Sequence, residues 1–213
     1  EYNKELVAAA VQEGIDLLGG IETFVAKNEK ILLKPNLLKK AEPNQAVTTH
    51  PAVFAAVANL LKSGGYENLF YGDSPGPGVS MAKVAQAAGI EQAAAECGVA
   101  ESDFSSGKRV DYPQGRTANS FIICKGALEA DAIINLCKMK THGLERITGA
   151  VKNTFGCVAG INKGAGHAKY PDPDSFGKML ADLNNLIKPR LHIMDAIVAM
   201  EGNGPGSGDP VQM

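Results

Sequence analysis

A chain of 213 residues, 45% hydrophobic and 21% charged with a formal net charge of −2, has the make-up of one globular domain, residues 1–213, able to bury a substantial core. The balanced charge gives no footprint for nucleic acid, no apolar run is long enough to cross a bilayer, and the amino-terminal segment lacks the basic flank and apolar core of a secretory signal. Cys97, Cys124, Cys137 and Cys157 are widely spaced with no C-x-x-C pair, which fits free thiols in a reducing, cytoplasmic setting and predicts no metal or iron–sulfur cofactor held by this chain.

Residues 4–18 place Leu6, Val7, Ala10, Val11, Ile15 and Leu18 at helical spacing, and Gly19-Gly20 supplies the stop. A short aliphatic strand follows at 30–34. His50-Pro51 opens a second helix, buried through Val53, Phe54, Val57, Leu60 and Leu61 and ended by Gly64-Gly65. After a strand at 68–72, the glycine- and proline-rich loop 72–78 turns the chain into a helix at 79–88 that Gly89 closes.

The stretch 98–120 loses this rhythm and reads as an irregular insertion, a small antiparallel excursion with strand-like pieces around 102–104 and 109–111. Regularity returns with Phe121-Ile122-Ile123-Cys124, a strand at 131–136, a helical segment near 147–158, a glycine-rich loop from Gly160 to Gly166, a helix at 174–187 and a last strand at 190–195. Residues 200–210 form a long glycine-rich loop with nothing evident to receive the chain, which reads as the excised core of a longer protein. The alternation predicts an α/β domain. Its core is a mostly parallel open sheet with helices on both faces, a Rossmann-like layering, and the antiparallel excursion lies beside it.

Four of the expected strands end in polar residues. Ile31-Leu32-Leu33 runs into Lys34-Pro35-Asn36, and Leu69-Phe70-Tyr71 into Gly72-Asp73-Ser74 with Gly76 beyond. Ile133-Ile134 runs into Asn135, Lys138, Lys140 and His142, and His192-Ile193-Met194 into Asp195. In a parallel α/β sheet ligands bind outside the carboxyl ends of the strands, so these residues are expected to border one crevice. Lys34, Lys138 and Lys140 would grip an anion, the 72–78 loop would add backbone donors, Lys152 and Asn153 would border the site, and His142 with Asp195 would move protons. Each has a plainer alternative: capping for Asp73 or Ser74, a partner carboxylate for Lys34, a solvated basic loop for 138–142. No H-x-H or H-E-x-x-H spacing singles out a transition-metal site.

Taken together, Leu32-Leu33-Lys34-Pro35-Asn36-Leu37-Leu38, Thr48-Thr49-His50-Pro51, Gly72-Asp73-Ser74-Pro75-Gly76, Ile134-Asn135-Leu136-Cys137-Lys138-Met139-Lys140-Thr141-His142 and Met200-Glu201-Gly202-Asn203-Gly204-Pro205 resemble the domain-of-unknown-function family 362. The resemblance implies an iron–sulfur or redox association in a parent protein, commonly through an attached ferredoxin-like module. It implies no substrate or catalytic residue. Two functions stay open at this level: an enzyme domain acting on a small carboxylated or phosphorylated molecule, and a non-catalytic docking or cofactor-positioning module of a redox protein.

Overall fold

In the computed structural model, which describes residues 2–76 and 78–213, the aliphatic run Ile31–Lys34 forms β1, buried along its whole length at the middle of the main sheet. Helix α1 (Lys4–Leu17) precedes it. Its start is fixed by Asn3, whose Oδ1 accepts from the backbone N–H groups of Glu5 and Leu6 at 3.0 Å. Helix α2 (Pro51–Ser63) carries proline in its first turn, and β2 (Leu69–Tyr71) follows. The helix expected at 79–88 is α3 (Met81–Ala87), and a second helix that the periodicity did not single out, α4 (Ile90–Glu96), follows it directly. Gly89, at φ +70°, caps α4 as well as ending α3, a left-handed backbone that glycine adopts without strain.

The excursion is as expected in kind: β4 (Gly107–Asp111) and β5 (Ser120–Cys124) form a two-stranded antiparallel sheet. The preceding β3 (Ala100–Glu101), however, joins the main sheet parallel to β2. A short α5 (Lys125–Leu128) leads to β6 (Ala132–His142), which runs well past the predicted end at 136. Its lysines belong to a strand, not to a solvated loop, because β7 (Arg146–Thr148) pairs with Lys140–His142 on one side and β8 (Leu191–Glu201) on the other.

After α6 (Ala150–Asn153) and a 3-10 turn at Thr154–Cys157, the segment expected to be a glycine-rich loop is helix α7 (Gly160–Lys169). Close packing overrides the low helix propensity of its glycines: a Cβ at Gly166 would come 3.2 Å from the Phe155 ring. Helix α8 (Pro173–Ile187) has Phe176, Met179, Leu180 and Leu183 buried, as its periodicity predicts. The glycine-rich stretch after β8 does receive the chain, which returns as β9 (Asp209–Gln212) antiparallel to residues 198–201.

The main sheet has the order β3-β2-β1-β6-β8-β9, with β7 added to the end of β6. The β1–β2, β2–β3, β1–β6 and β6–β8 pairs are parallel, as expected. Alternation sorts the core. Ile31, Leu33, Ile134 and Leu136 pack with α2 and α4 on one face, while Leu32 and Ile133 pack with Phe176, Met179 and Leu183 of α8 and with β5 on the other.

Candidate functional site

The chain moves outward from β1 to β2 and β3, then returns to the other side of β1 as β6. The strand order therefore reverses between β1 and β6, where Lys34 stands in register with Asn135. Connections leave this point toward opposite faces of the sheet, and a crevice opens past the strand ends.

Two of the crevice lysines are neutralised. The Lys34 ammonium lies 2.8 Å from Asp73 Oδ1 with its side chain fully buried, and Asp73 Oδ2 accepts from the Leu37 N–H at 2.6 Å. A Cβ at Gly156 would run into both the carboxylate and the ammonium, so glycine there lets the backbone approach the pair. Lys138 meets Asp195 at 2.9 Å, again with both side chains fully buried. The Tyr2 hydroxyl donates to Asp195 Oδ1 at 2.6 Å and accepts from Lys138 Nζ at 2.7 Å, and the His50 N–H donates to Asp195 Oδ2 at 2.9 Å. The Tyr2 and His50 rings stack at 3.5 Å. Burial, followed by the Asp195 carboxylate, pushes the Tyr2 hydroxyl far above its ordinary range, so it stays protonated.

Three others have no such partner. Among the described residues no carboxylate lies within ion-pair distance of Lys140, Lys152 or Lys163. Lys140 is 2% exposed and donates to Asn36 Oδ1 and the Val47 carbonyl, each at 2.7 Å. Lys163 donates to the Ser74 carbonyl and, at 3.2 Å, to that of Pro75. Lys152 lies over the rings of Phe155 and Phe176, 5.1 and 5.5 Å from their centroids.

Burial, reinforced by the Lys152 ammonium, pulls Lys140 down to about 7. Burial and the Lys163 charge bring Lys152 to about 8. Lys163 falls to about 8 through burial, with Asp73 opposing and Lys34 adding to the fall.

A chain of side-chain amides holds this arrangement. Asn36 Nδ2 donates to Asn153 Oδ1 at 2.9 Å, Asn153 Nδ2 to Asn135 Oδ1 at 2.7 Å, and Asn135 Nδ2 to the Ala150 carbonyl at 2.9 Å. The sequence directs Asn36 Oδ1 toward Lys140 by engaging its amide nitrogen elsewhere. Two adjoining clefts result. One of about 190 Å³ is lined by Asp73, Ser74, Gly76, Lys152, Lys163 and His167, among others, and one of about 40 Å³ by Lys138, Lys140, His142, Thr148 and Pro205. They share Asn36, Leu38, Lys152 and Asn153 as walls. A larger cavity of about 370 Å³ on the far side of Ser74 is lined by Glu101 and Asp103 and by no lysine.

Of the residues expected to border one crevice, Asn36, Asp73, Ser74, Gly76, Lys138, Lys140, His142, Lys152 and Asn153 line these two clefts. Lys34 and Asn135 stand behind them, in the ion pair and the amide chain. Three expectations need correction. Asp195 faces Tyr2, His50 and Lys138, and no hydrogen bond joins it to His142, so the two do not form a proton-moving pair.

His142 Nδ1 already accepts from the N–H groups of Leu144 and Glu145 at 3.1 Å, leaving the ring proton on Nε2. Burial and the Lys152 charge lower it to about 4, so at neutral pH the ring is uncharged, with its Nδ1 lone pair already engaged and Nε2–H as its donor. Two backbone donors of the 72–78 loop are already taken, Ser74 N–H by the Gly156 carbonyl at 3.0 Å and Gly76 N–H by that of Leu38 at 3.4 Å. Pro77 of that loop lies outside the described residues.

The family model described as "Domain of unknown function (DUF362)" matches residues 31–213. The chain belongs to this family. It is also 37% identical over 210 residues to Thylakoid-associated protein sll1697 of Synechocystis sp., a match that covers 98% of the chain. The chain spans 64% of that relative's length. All of the cleft residues named above, from Asn36 to Pro205, fall within the segment that matches the DUF362 model.

Sequence patterning missed Tyr2, Lys163 and the Val47 carbonyl. Tyr2 precedes the first periodic segment and carries no local signal. Lys163 and His167 are four apart and share a helix face toward the larger cleft, a spacing legible once Gly160–Lys169 is read as helix.

Proposed function

We propose that this DUF362 domain binds a small anionic ligand, a carboxylate or phosphate, in the paired clefts at the β1–β6 switch point. The observation that carries this reading is the cluster of Lys140, Lys152 and Lys163, which line the two adjoining clefts with no carboxylate within ion-pair distance among the described residues. Burying cations close to one another is costly, as their lowered pKa values record, and an arriving anion relieves that cost. Lys152 is the group most open to a ligand, while the Asn36–Asn153–Asn135 chain and the Lys34–Asp73 pair act as the rigid support. In a longer iron–sulfur-associated protein this domain would be the module that holds the substrate.

The test is equilibrium binding of inorganic phosphate and of small mono- and dicarboxylates to the folded chain, with Lys152→Met alongside. One charge-assisted hydrogen bond contributes about 1.5–3 kcal/mol, so Lys152→Met should weaken binding roughly ten- to a hundredfold while melting stays cooperative. Equal affinity in the two proteins would remove Lys152 from the site.

A further inference from the structure

We propose that Lys140 is a covalent nucleophile which forms an imine with the carbonyl group of a 2-oxo carboxylate whose carboxylate is held by Lys152 and Lys163. The proposal deepens the anion-binding reading and rests on it. Its geometric basis is the set of partners around Nζ of Lys140. Both are neutral oxygens, Asn36 Oδ1 and the Val47 carbonyl, each at 2.7 Å. A neutral amine has two N–H bonds, enough to satisfy both acceptors, and keeps a lone pair. Lys34 and Lys138, by contrast, each donate to a carboxylate.

The amide chain fixes Asn36 as an acceptor on that side, so the network that positions the amine engages only two of its donors and supplies no carboxylate. Lys152 and Lys163 line the neighbouring cleft, which shares the Asn36 and Lys152 walls with the cleft of Lys140. A lysine made nucleophilic by burial beside a second cation is a recurrent solution for carbonyl chemistry. The lowered pKa of Lys140, to about 7, agrees with it.

In the step itself, the Nζ lone pair forms the C–N bond as the carbonyl π pair moves to oxygen. The Lys152 ammonium supplies a proton to that oxygen, and Nζ gives up a proton to solvent. The resulting carbinolamine takes a second proton on its hydroxyl and loses water, leaving a cationic iminium whose charge the substrate carboxylate offsets. Amine, oxo acid and one proton thus become iminium and one water, with no change in oxidation state.

The test uses the whole chain with pyruvate as probe and cyanoborohydride as trap at neutral pH, followed by peptide mass mapping. Lys140 should gain a carboxyethyl group at least about tenfold faster than the exposed Lys39 and Lys40. Inorganic phosphate should protect Lys140 and leave Lys39 and Lys40 unaffected, a control that needs no variant. Lys140→Arg should lose the label while keeping the parent's circular dichroism. Labelling spread evenly over exposed lysines, with phosphate binding intact, would overturn the imine and leave the anion site standing. Failure of both labelling and phosphate binding would overturn the two readings together.

Discussion

The five lysines around the crevice fall into two sets, and the difference between them separates scaffold from site. Lys34 and Lys138 are fully buried, each against one carboxylate that backbone N–H groups also bind. Such pairs fix geometry: Asp73 ties β1 to the loop after β2, and Asp195 ties the β6–β8 pair to the start of α2. Lys140, Lys152 and Lys163 crowd beside them with neutral acceptors or aromatic faces in place of carboxylates. A fold gains nothing from leaving buried cations unpaired. The second set is therefore where a ligand's charge fits.

The largest effect should come from making a paired lysine unpaired. Asp73→Ala strands the buried Lys34 ammonium and should cost about 3–5 kcal/mol in denaturant unfolding, and adding Lys34→Met should recover most of that loss. A double variant as unstable as the single one would show that the pair is not the cause. Removing a lysine of the second set should act the other way. Lys140→Met should leave stability equal or higher and lower phosphate affinity roughly ten- to a hundredfold. A severe loss of stability there would place Lys140 with the scaffold.

The pH dependence reports on the second set without mutation. Lys140 at about 7, and Lys152 and Lys163 at about 8, all lie below their ordinary 10.5. Between those values the unfolded chain binds more protons than the folded one, so stability of the free protein should rise with pH from about 7 toward 10, and phosphate should flatten the rise. On the acid side, His50 and His142 at about 4 also lie below their unfolded value of 6.5. Their contribution is complete above 6.5 and should be lost as the pH falls toward 4. His50 Nδ1, which accepts from the Ala52 N–H at 3.1 Å, cannot cap α2 when protonated. Urea midpoints across this range check both signs. The smallest effect belongs to Tyr2→Phe, which removes one hydroxyl from an intact Lys138–Asp195 pair and should cost about 1–2 kcal/mol with phosphate affinity unchanged.

The parallel sheet and the layered helices were legible because each depends on short-range pattern, aliphatic runs and 3.6-residue periodicity, and on the rule for crossover topology; of the polar strand ends, Asn36, Asp73, Ser74, Lys138, Lys140 and His142 line the two clefts while Lys34, Asn135 and Asp195 do not. What escaped depends on long-range contact. The 138–142 segment reads as a basic loop until β7 and β8 are seen on its two sides, and residues 160–166 read as a loop until Phe155 is seen against Gly166. Which lysine would find a carboxylate was equally invisible. Lys34 and Asp73 are 39 residues apart and Lys138 and Asp195 are 57 apart, and no local signal distinguishes them from the lysines left unpaired.

The central claim, that the unpaired lysines form an anion site, is tested most directly by calorimetric titration of inorganic phosphate into the chain at about pH 8, in two buffers of different ionisation enthalpy. Because Lys140 lies at about 7 and Lys152 and Lys163 at about 8, a bound anion should raise all three, so that binding takes up about one proton or more and weakens as pH rises. Saturable binding with no difference between the buffers, or no binding at all, would contradict the account.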